Sequence, residues 1–263
     1  MKSLEGAVVA VTGASSGIGR ETALLFAREG ARLAIAARRL DRLEALAEVL
    51  QAGGSQCLVM KVDVLSPGEA KGFVEAAVDR FGRLDVLVNN AGFGIRGRAE
   101  EIPAEGYERL MRVNYLGMVH ACQAALPVMR RQASGVLINV SSIVGHRALP
   151  LGGAYAATKA AQIRFTEALR VELAGSGVEA CLVYPVGTDT EFAEVARRES
   201  GGRDSSPLGP RQSALVVAQA IVRCARRPRL EVYPLKAARI VVWLAAVFPR
   251  LMDAVLLRVA RGT

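Results

Sequence analysis

The chain has 263 residues, 51% of them hydrophobic, 22% charged and only 5% aromatic, with a formal net charge of +9 at pH 7. That length suits one α/β domain, and the balance excludes intrinsic disorder while fitting a helix-covered sheet packed with Ala, Val and Leu. Four cysteines, Cys57, Cys122, Cys181 and Cys224, lie far apart with no CxxC pair, which argues against a metal site or a disulfide framework.

The first residues run straight into an apolar strand and a glycine turn without the longer apolar stretch of a secretory signal, so a cytoplasmic location is expected. From there β-rich apolar runs alternate with helical patterns: AVVAVT, a helix from Gly17, ARLAIAA, a helix from Leu40, QCLVMKV, a helix from Pro67, then LDVLVN. The rhythm continues with a helix over 107–130, a strand at GVLINVS, a helix over 155–173 and a strand at VEACLVYP. Continuous apolar strands are covered on both faces, so the pattern predicts a doubly wound parallel sheet of Rossmann type with helices on each side. The polar, Gly- and Ser-rich stretch over 197–210 is expected to be an irregular substrate lid. A helix over 213–226 and a short strand over 230–233 should complete a domain spanning 1–234, followed by an amphipathic helical tail over 235–263.

Strand one ends in TGASSGIG, residues 12–19, opening a helix whose N-terminus can hold a pyrophosphate. Gly13 permits the turn and Gly17 and Gly19 permit close approach, with Ser15, Ser16 and Ile18 between them. Strand two ends at Ala37 and is followed by Arg38 and Arg39, where an NAD-selective protein places a carboxylate; guanidinium groups favour the 2′-phosphate of NADP(H) instead. Tyr155 and Lys159 stand four residues apart, which puts phenol and ammonium on one helix face. A nearby cation is expected to lower the phenol from its ordinary value of about 10. A strand-end hydroxyl, Ser141 or Ser142, stands ready to hydrogen-bond a substrate oxygen. His146 and His120 are expected to be structural or surface residues.

With these motifs the chain resembles the classical short-chain dehydrogenase/reductase family, whose fingerprint is TGxxxGxG, over about residues 4–234. The resemblance implies that Asp63 and Val64 flank the adenine and that Asn89, Asn90, Ala91 and Gly92 support the sheet and line the cofactor. It selects Ser142 over Ser141, and it makes Asn114 the fourth member of a tetrad with Ser142, Tyr155 and Lys159. Pro185, Thr188 and Thr190 should hold the nicotinamide carboxamide, although Val186 replaces the usual glycine there. The activity implied is NADP(H)-dependent interconversion of an alcohol and a ketone or aldehyde, by a homodimer or homotetramer; the alternative is a catalytically silent NADP(H)-binding scaffold.

Residues 226–263 carry eight cationic and two anionic side chains, +6 of the total excess. Within the tail Ile240, Leu244, Val247, Leu251, Val255 and Val259 form one apolar helical stripe, interrupted by Pro249. The longest uncharged run there is too short to span a bilayer, so the tail either lies in a membrane interface, delivering a steroid, retinoid or long-chain acyl substrate, or packs on protein. Arginines interleaved with Val, Leu and Trp243 make no continuous basic face, which argues against nucleic acid.

Overall fold

The computed structural model describes residues 3–202, 209 and 211–261. In chain order, β1 (Val8–Thr12) leads into α1 (Gly17–Arg28), β2 (Arg32–Ala37) into α2 (Leu40–Ala52), β3 (Cys57–Lys61) into α3 (Pro67–Phe81), and β4 (Val86–Asn89) into α4 (Ala104–Leu110). A π-helical segment, Met111–Leu116, joins α4 to α5 (Gly117–Gln132), so the helix expected over 107–130 is longer and carries a wide turn inside it. Such turns occur often at functional sites, and this one carries Asn114. The chain continues through β5 (Gly135–Val140), a tight turn at Ile143–Gly145, α6 (Gly153–Glu172), β6 (Val178–Val183), β7 (Gly187–Asp189) and α7 (Phe192–Glu199). It closes with β8 (Arg211–Ser213), α8 (Ala214–Arg226), β9 (Glu231–Val232), α9 (Ala237–Val247) and α10 (Pro249–Arg261).

Seven strands form one parallel sheet in the order β3-β2-β1-β4-β5-β6-β9. Alternate residues of a strand point to opposite faces, and here both sets are apolar. Val9 and Val11 pack with Phe26 of α1, Leu43 of α2 and Ile221 of α8. Val8 and Ala10 pack with Phe73 of α3, Cys122 of α5 and Leu169 of α6. Two cores, one per face, are the physical meaning of the expected doubly wound fold.

Three local readings need correction. The segment expected as an irregular lid over 197–210 begins inside α7, because FAEVARRE buries Ala196 on one face and ends only at Gly201 and Gly202, both with positive φ. Residues 203–208 and 210 of that segment lie outside the described residues. A small parallel ribbon, β7 with β8, was not foreseen; it ties the run after Pro185 to the start of α8.

The tail is helical, but not as one rod. Its two helices are bent by 115° at the break between Val247 and Pro249, because proline starts a helix well and continues one badly. The single stripe is thereby split, with Ile240, Leu244 and Val247 on one helix and Leu251 and Val255 on the next; the side chain of Val259 lies outside those described. Among the described residues no single helix is long and apolar enough to cross a membrane.

Candidate active site

The sheet order reverses between β1 and β4, and ligands of open α/β sheets bind where that reversal opens a crevice at the strand ends. Thr12 and Asn90 stitch the two ends together. Thr12 Oγ1 accepts from the backbone N–H groups of Asn90 and Ala91 at 3.1 and 3.2 Å, while Asn90 Nδ2 donates to the Thr12 and Gly13 carbonyls at 3.2 Å. Gly13 has φ +69°, and a Cβ on it would lie 2.9 Å from Ala91 Cα. A Cβ on Gly19 would sit 2.3 Å from the Gly13 carbonyl oxygen, so its small size lets α1 pack on the turn.

Ser16 is the N-cap of α1, yet its side chain makes no capping bond. Its hydroxyl instead accepts from Arg39 Nη2 at 2.8 Å, and Ser15 Oγ accepts from Arg39 Nη2 and Nε at 3.1 and 3.3 Å. The first-turn amides of α1 thus stay free of side-chain caps beside a guanidinium, a setting suited to anions. Arg39 Nη1 also donates to Glu191 at 2.8 Å, and Arg42 donates to the other carboxylate oxygen of the same residue. Those two arginines hold the Glu191 carboxyl below the usual carboxylate range.

At the other end of the crevice α6 presents Tyr155 and Lys159. The Lys159 ammonium donates to the Val140 carbonyl at 2.9 Å and to Gln162 Oε1 at 3.1 Å, and Gln162 Nε2 donates to the Asn114 carbonyl at 2.6 Å. Asn114 is locked by its own side chain, which accepts from Phe93 N–H at 3.0 Å and donates to the Phe93 carbonyl at 2.9 Å and to Thr158 Oγ1 at 3.0 Å. The polar chain runs on beneath the site: Thr166 donates to the Gln162 carbonyl, Asn139 Nδ2 to Thr166 Oγ1, and Asn89 Nδ2 to Asn139 Oδ1 across neighbouring strands. Buried networks of this kind rigidify what they hold, and among the described residues only the far end of this one, Asn89 Oδ1, is left without a partner. Both serines border the cavity, but the Ser141 hydroxyl is buried and turned to the Lys159 carbonyl, whereas Ser142, partly exposed, donates to the Pro185 carbonyl at 3.3 Å.

The expected lowering of Tyr155 by Lys159 is not what this arrangement produces. Burial pushes the Tyr155 phenol above its ordinary value and pushes Lys159 down to about 7. The reason is geometric: the ammonium sits 5.6 Å from the phenol ring centre, and the acceptors that hold it are neutral, so nothing offsets its loss of water.

Of the residues proposed for the nicotinamide end, Pro185, Thr188 and Thr190 all line the cavity. Val186 does no harm in the usual glycine position, because neither it nor Gly187 has positive φ. Thr190 lies against the glycine turn; a Cβ on Gly17, whose φ is +53°, would sit 2.8 Å from the Thr190 methyl carbon.

The glycine turn, Arg38, Arg39, Glu191 and the Ser142, Tyr155 and Lys159 group border one cavity of about 650 Å³. Every proposed cofactor residue lines it except Gly19 and Asn89, including Gly13, Ser15, Ser16, Gly17, Ile18, Arg38, Arg39, Asp63, Val64, Asn90, Ala91 and Gly92, together with Ser142, Tyr155 and Lys159; Asn89 is buried in β4 and Asn114 in the π segment. Phe93, Ile95, Val144, Leu149 and Phe192 make the wall near Tyr155 apolar, and the Phe192 ring stands 5.4 Å from that of Tyr155. A glycine cradle, uncapped helix amides and a deep polar end therefore fit a dinucleotide. No cluster of metal-ligating side chains occurs among the described residues. The His146 ring packs 4.6 Å from that of Tyr184, tilted by 54°, and its Nε2 lies 3.4 Å from the Tyr233 hydroxyl. Sequence reasoning missed Gln162, Glu191 and Phe192. Gln162 left one trace, a polar residue three positions after Lys159 on a helix face that has to be buried.

The family model for short chain dehydrogenases matches residues 7–201. An uncharacterized oxidoreductase of Staphylococcus saprophyticus is 38% identical over 196 residues, 74% of this chain and 79% of the relative. The oxidoreductase YxnA of Bacillus subtilis is 34% identical over 96% of this chain and 72% of its own. Among solved structures, a short chain dehydrogenase/reductase from Burkholderia phymatum in complex with NAD superposes with a TM-score of 0.88 at 26% identity, covering 96% of this chain and 97% of that one. An alcohol dehydrogenase from the archaeon Thermococcus sibiricus, complexed with 5-hydroxy-NADP, gives 0.76 at 32% identity over 87% and 96%. Sequence, fold and the grouping of Ser142, Tyr155 and Lys159 in one crevice agree, and the chain belongs to the short-chain dehydrogenase/reductase family of oxidoreductases, enzymes that act on an alcohol or its carbonyl counterpart.

Proposed function

We propose that this enzyme uses NADP(H) to interconvert a lipophilic alcohol and its ketone or aldehyde. The observation that carries the cofactor choice is the pair Arg38 and Arg39 at the end of β2, both on the cavity wall, with Arg39 joined to Ser15 and Ser16. Guanidinium and hydroxyl donors at that place suit a 2′-phosphate. The relative from Thermococcus sibiricus, solved with an NADP derivative, is consistent with this, while the Burkholderia phymatum protein was solved with NAD.

When bound, the nicotinamide supplies or accepts the hydride. Ser142 donates a hydrogen bond to the substrate oxygen as charge gathers on it. Tyr155, its phenol protonated because burial raises it, delivers a proton to that oxygen in the reducing direction. Lys159 would hold the ribose side of the cofactor, and Asn114, bonded to Phe93 and Thr158, fixes the turn of the π segment behind it. The apolar wall of Phe93, Ile95, Leu149 and Phe192 excludes water and favours a hydrophobic substrate body.

The tail supports a membrane-surface source for such a substrate. The small residues Ala238 and Ala245 of α9 face the body of the protein, whereas Ile240, Trp243, Val247 and Phe248, with Leu251 and Leu257 of α10, are exposed. Lys236, Arg239, Arg250 and Arg258 are exposed along the same segment, while the tail's acid Asp253 is engaged by Arg147. Exposed apolar side chains interspersed with cations complement an anionic bilayer surface, and two copies of the same basic segment would repel each other.

Titration with NADPH and NADH, following nicotinamide emission, tests the central reading. A clear NADPH preference that Arg38→Asp reverses supports it; equal affinities or an NADH preference would reduce the function to NAD(P)-dependent oxidoreduction. Screening lipophilic against small polar carbonyls then tests the substrate class.

A further inference from the structure

One short run, Thr190, Glu191 and Phe192, touches three functional parts of the cavity. Thr190 rests on Gly17 of the glycine turn. Glu191 takes Arg39 Nη1 at 2.8 Å and pairs with Arg42 as well. Phe192, the first residue of α7, packs 5.4 Å from the Tyr155 ring. Resting on the NADP(H) reading above, we infer that Glu191 is a specificity-determining residue: its carboxylate occupies the Arg39 guanidinium that a 2′-phosphate needs, so the two anions compete, and displacement of Glu191 frees the start of α7 beside Tyr155.

The argument is one of donors and charge. Arg39 already directs Nε and Nη2 to the Ser15 and Ser16 hydroxyls, which leaves Nη1 as the donor nitrogen shared out to Glu191. A phosphate monoester carries between one and two negative charges at neutral pH and has more acceptor oxygens than a carboxylate. Brought to Arg39, it would stand next to the Glu191 carboxylate, and like charges in contact disfavour each other. A neutral ribose 2′-hydroxyl has no comparable means of displacing the carboxylate. Because Glu191 and Phe192 are adjacent in the chain, loss of the ion pair reaches the wall that faces the reacting end.

The test uses the full chain, with adenosine 2′,5′-bisphosphate and 5′-AMP as probes in calorimetric titrations. Exposed charge pairs contribute modestly, so Glu191→Gln should tighten the bisphosphate about 3- to 10-fold, less at high salt, and leave 5′-AMP within about two-fold. Glu194→Gln, elsewhere on α7, should change neither. Hydrogen exchange gives the second readout: in the wild type the bisphosphate should speed exchange across Phe192–Glu199, while in Glu191→Gln exchange should be fast from the start. A bisphosphate affinity unchanged or weakened by Glu191→Gln, in a wild type that still prefers the bisphosphate to 5′-AMP, overturns the competition and leaves the NADP(H) reading standing. A wild type that binds both probes alike removes that reading and the role of Glu191 together. Exchange in α7 that ignores the bisphosphate overturns the coupling to Phe192.

Discussion

The two ends of the cavity are built in opposite ways. At the reacting end Lys159, Gln162 and Asn114 are at most 4% exposed and joined into a polar chain that continues through Thr166 to Asn139 and Asn89. At the phosphate end Arg39 and Glu191 keep 38% and 39% of their side-chain surface in water. Buried groups without a partner are costly, so the first arrangement tolerates almost no change. Exposed ion pairs are worth little, so the second is easily retuned. On the proposed function, the chemistry is held rigid while cofactor choice rests on a few replaceable charges, and mutation at the two ends should have effects of different size.

Tyr155→Phe should give the largest effect. Removing the proton donor while keeping the ring against Phe192 should lower kcat by about 10²- to 10⁴-fold, the usual worth of general acid catalysis, with cofactor affinity nearly unchanged. Steady-state rates together with a cofactor titration check both halves. Full activity in that variant would remove Tyr155 from the proposed role.

The next effect is on stability and has a definite sign. Burial lowers Lys159 to about 7 in the folded protein against an ordinary 10.5. Below pH 7 folded and unfolded chains both hold the proton, and the whole cost of burying the ammonium is present. Between pH 7 and 10.5 the unfolded chain binds more protons than the folded one, so this residue's contribution rises with pH. Relative to Lys159→Met, the wild type should therefore gain stability across that window, on the order of a few kcal/mol. Denaturant melts of both proteins at a series of pH values measure the difference, and parallel curves would contradict the buried, neutral setting of Lys159.

Gln162 separates a fixed lysine from a merely buried one. Gln162→Leu leaves Lys159 and the Asn114 carbonyl each short of a partner and should cost about 1–3 kcal/mol. Gln162→Glu should raise Lys159 by placing a carboxylate where the amide oxygen now accepts, 3.1 Å from the Lys159 nitrogen, moving the alkaline limb of the pH–rate profile upward. A profile identical in the two variants would mean that Gln162 only fills space.

The same contrast explains what could be read from the amino-acid order. The sheet was legible because its strands are apolar on both faces, and the Tyr155 and Lys159 pair because the two lie one helical turn apart, whereas Ser142 and Asn114 came only from the family resemblance. Arg38 and Arg39 were visible because they follow β2 directly. Glu191 was not, because it comes to Arg39 from 152 residues away in the chain, and no local pattern encodes such a meeting. Gln162 reads as an ordinary helix residue until the π segment brings the Asn114 carbonyl to it. The rise of Tyr155 was missed for a related reason: i,i+4 spacing tells that two groups share a face, but not that water is excluded and that the cation points to Val140.

The smallest expected effect belongs to the tail, where charge is again exposed. With the face of Trp243 and Phe248 set against anionic vesicles, each cation at its rim should contribute about 1 kcal/mol near the surface, so Arg250→Ala or Arg258→Ala should weaken vesicle binding about five-fold. Trp243 is the only tryptophan, and its emission should shift to the blue with anionic vesicles and much less with neutral ones, as an aromatic side chain entering the headgroup layer requires. Activity toward a membrane-dissolved carbonyl should fall in step with binding in these variants, while activity toward a water-soluble one stays constant, because none of the changed residues lines the cavity. An emission spectrum unmoved by anionic vesicles, with a mass in solution twice that of one chain, would instead assign the apolar face to a second copy and detach the tail from substrate delivery.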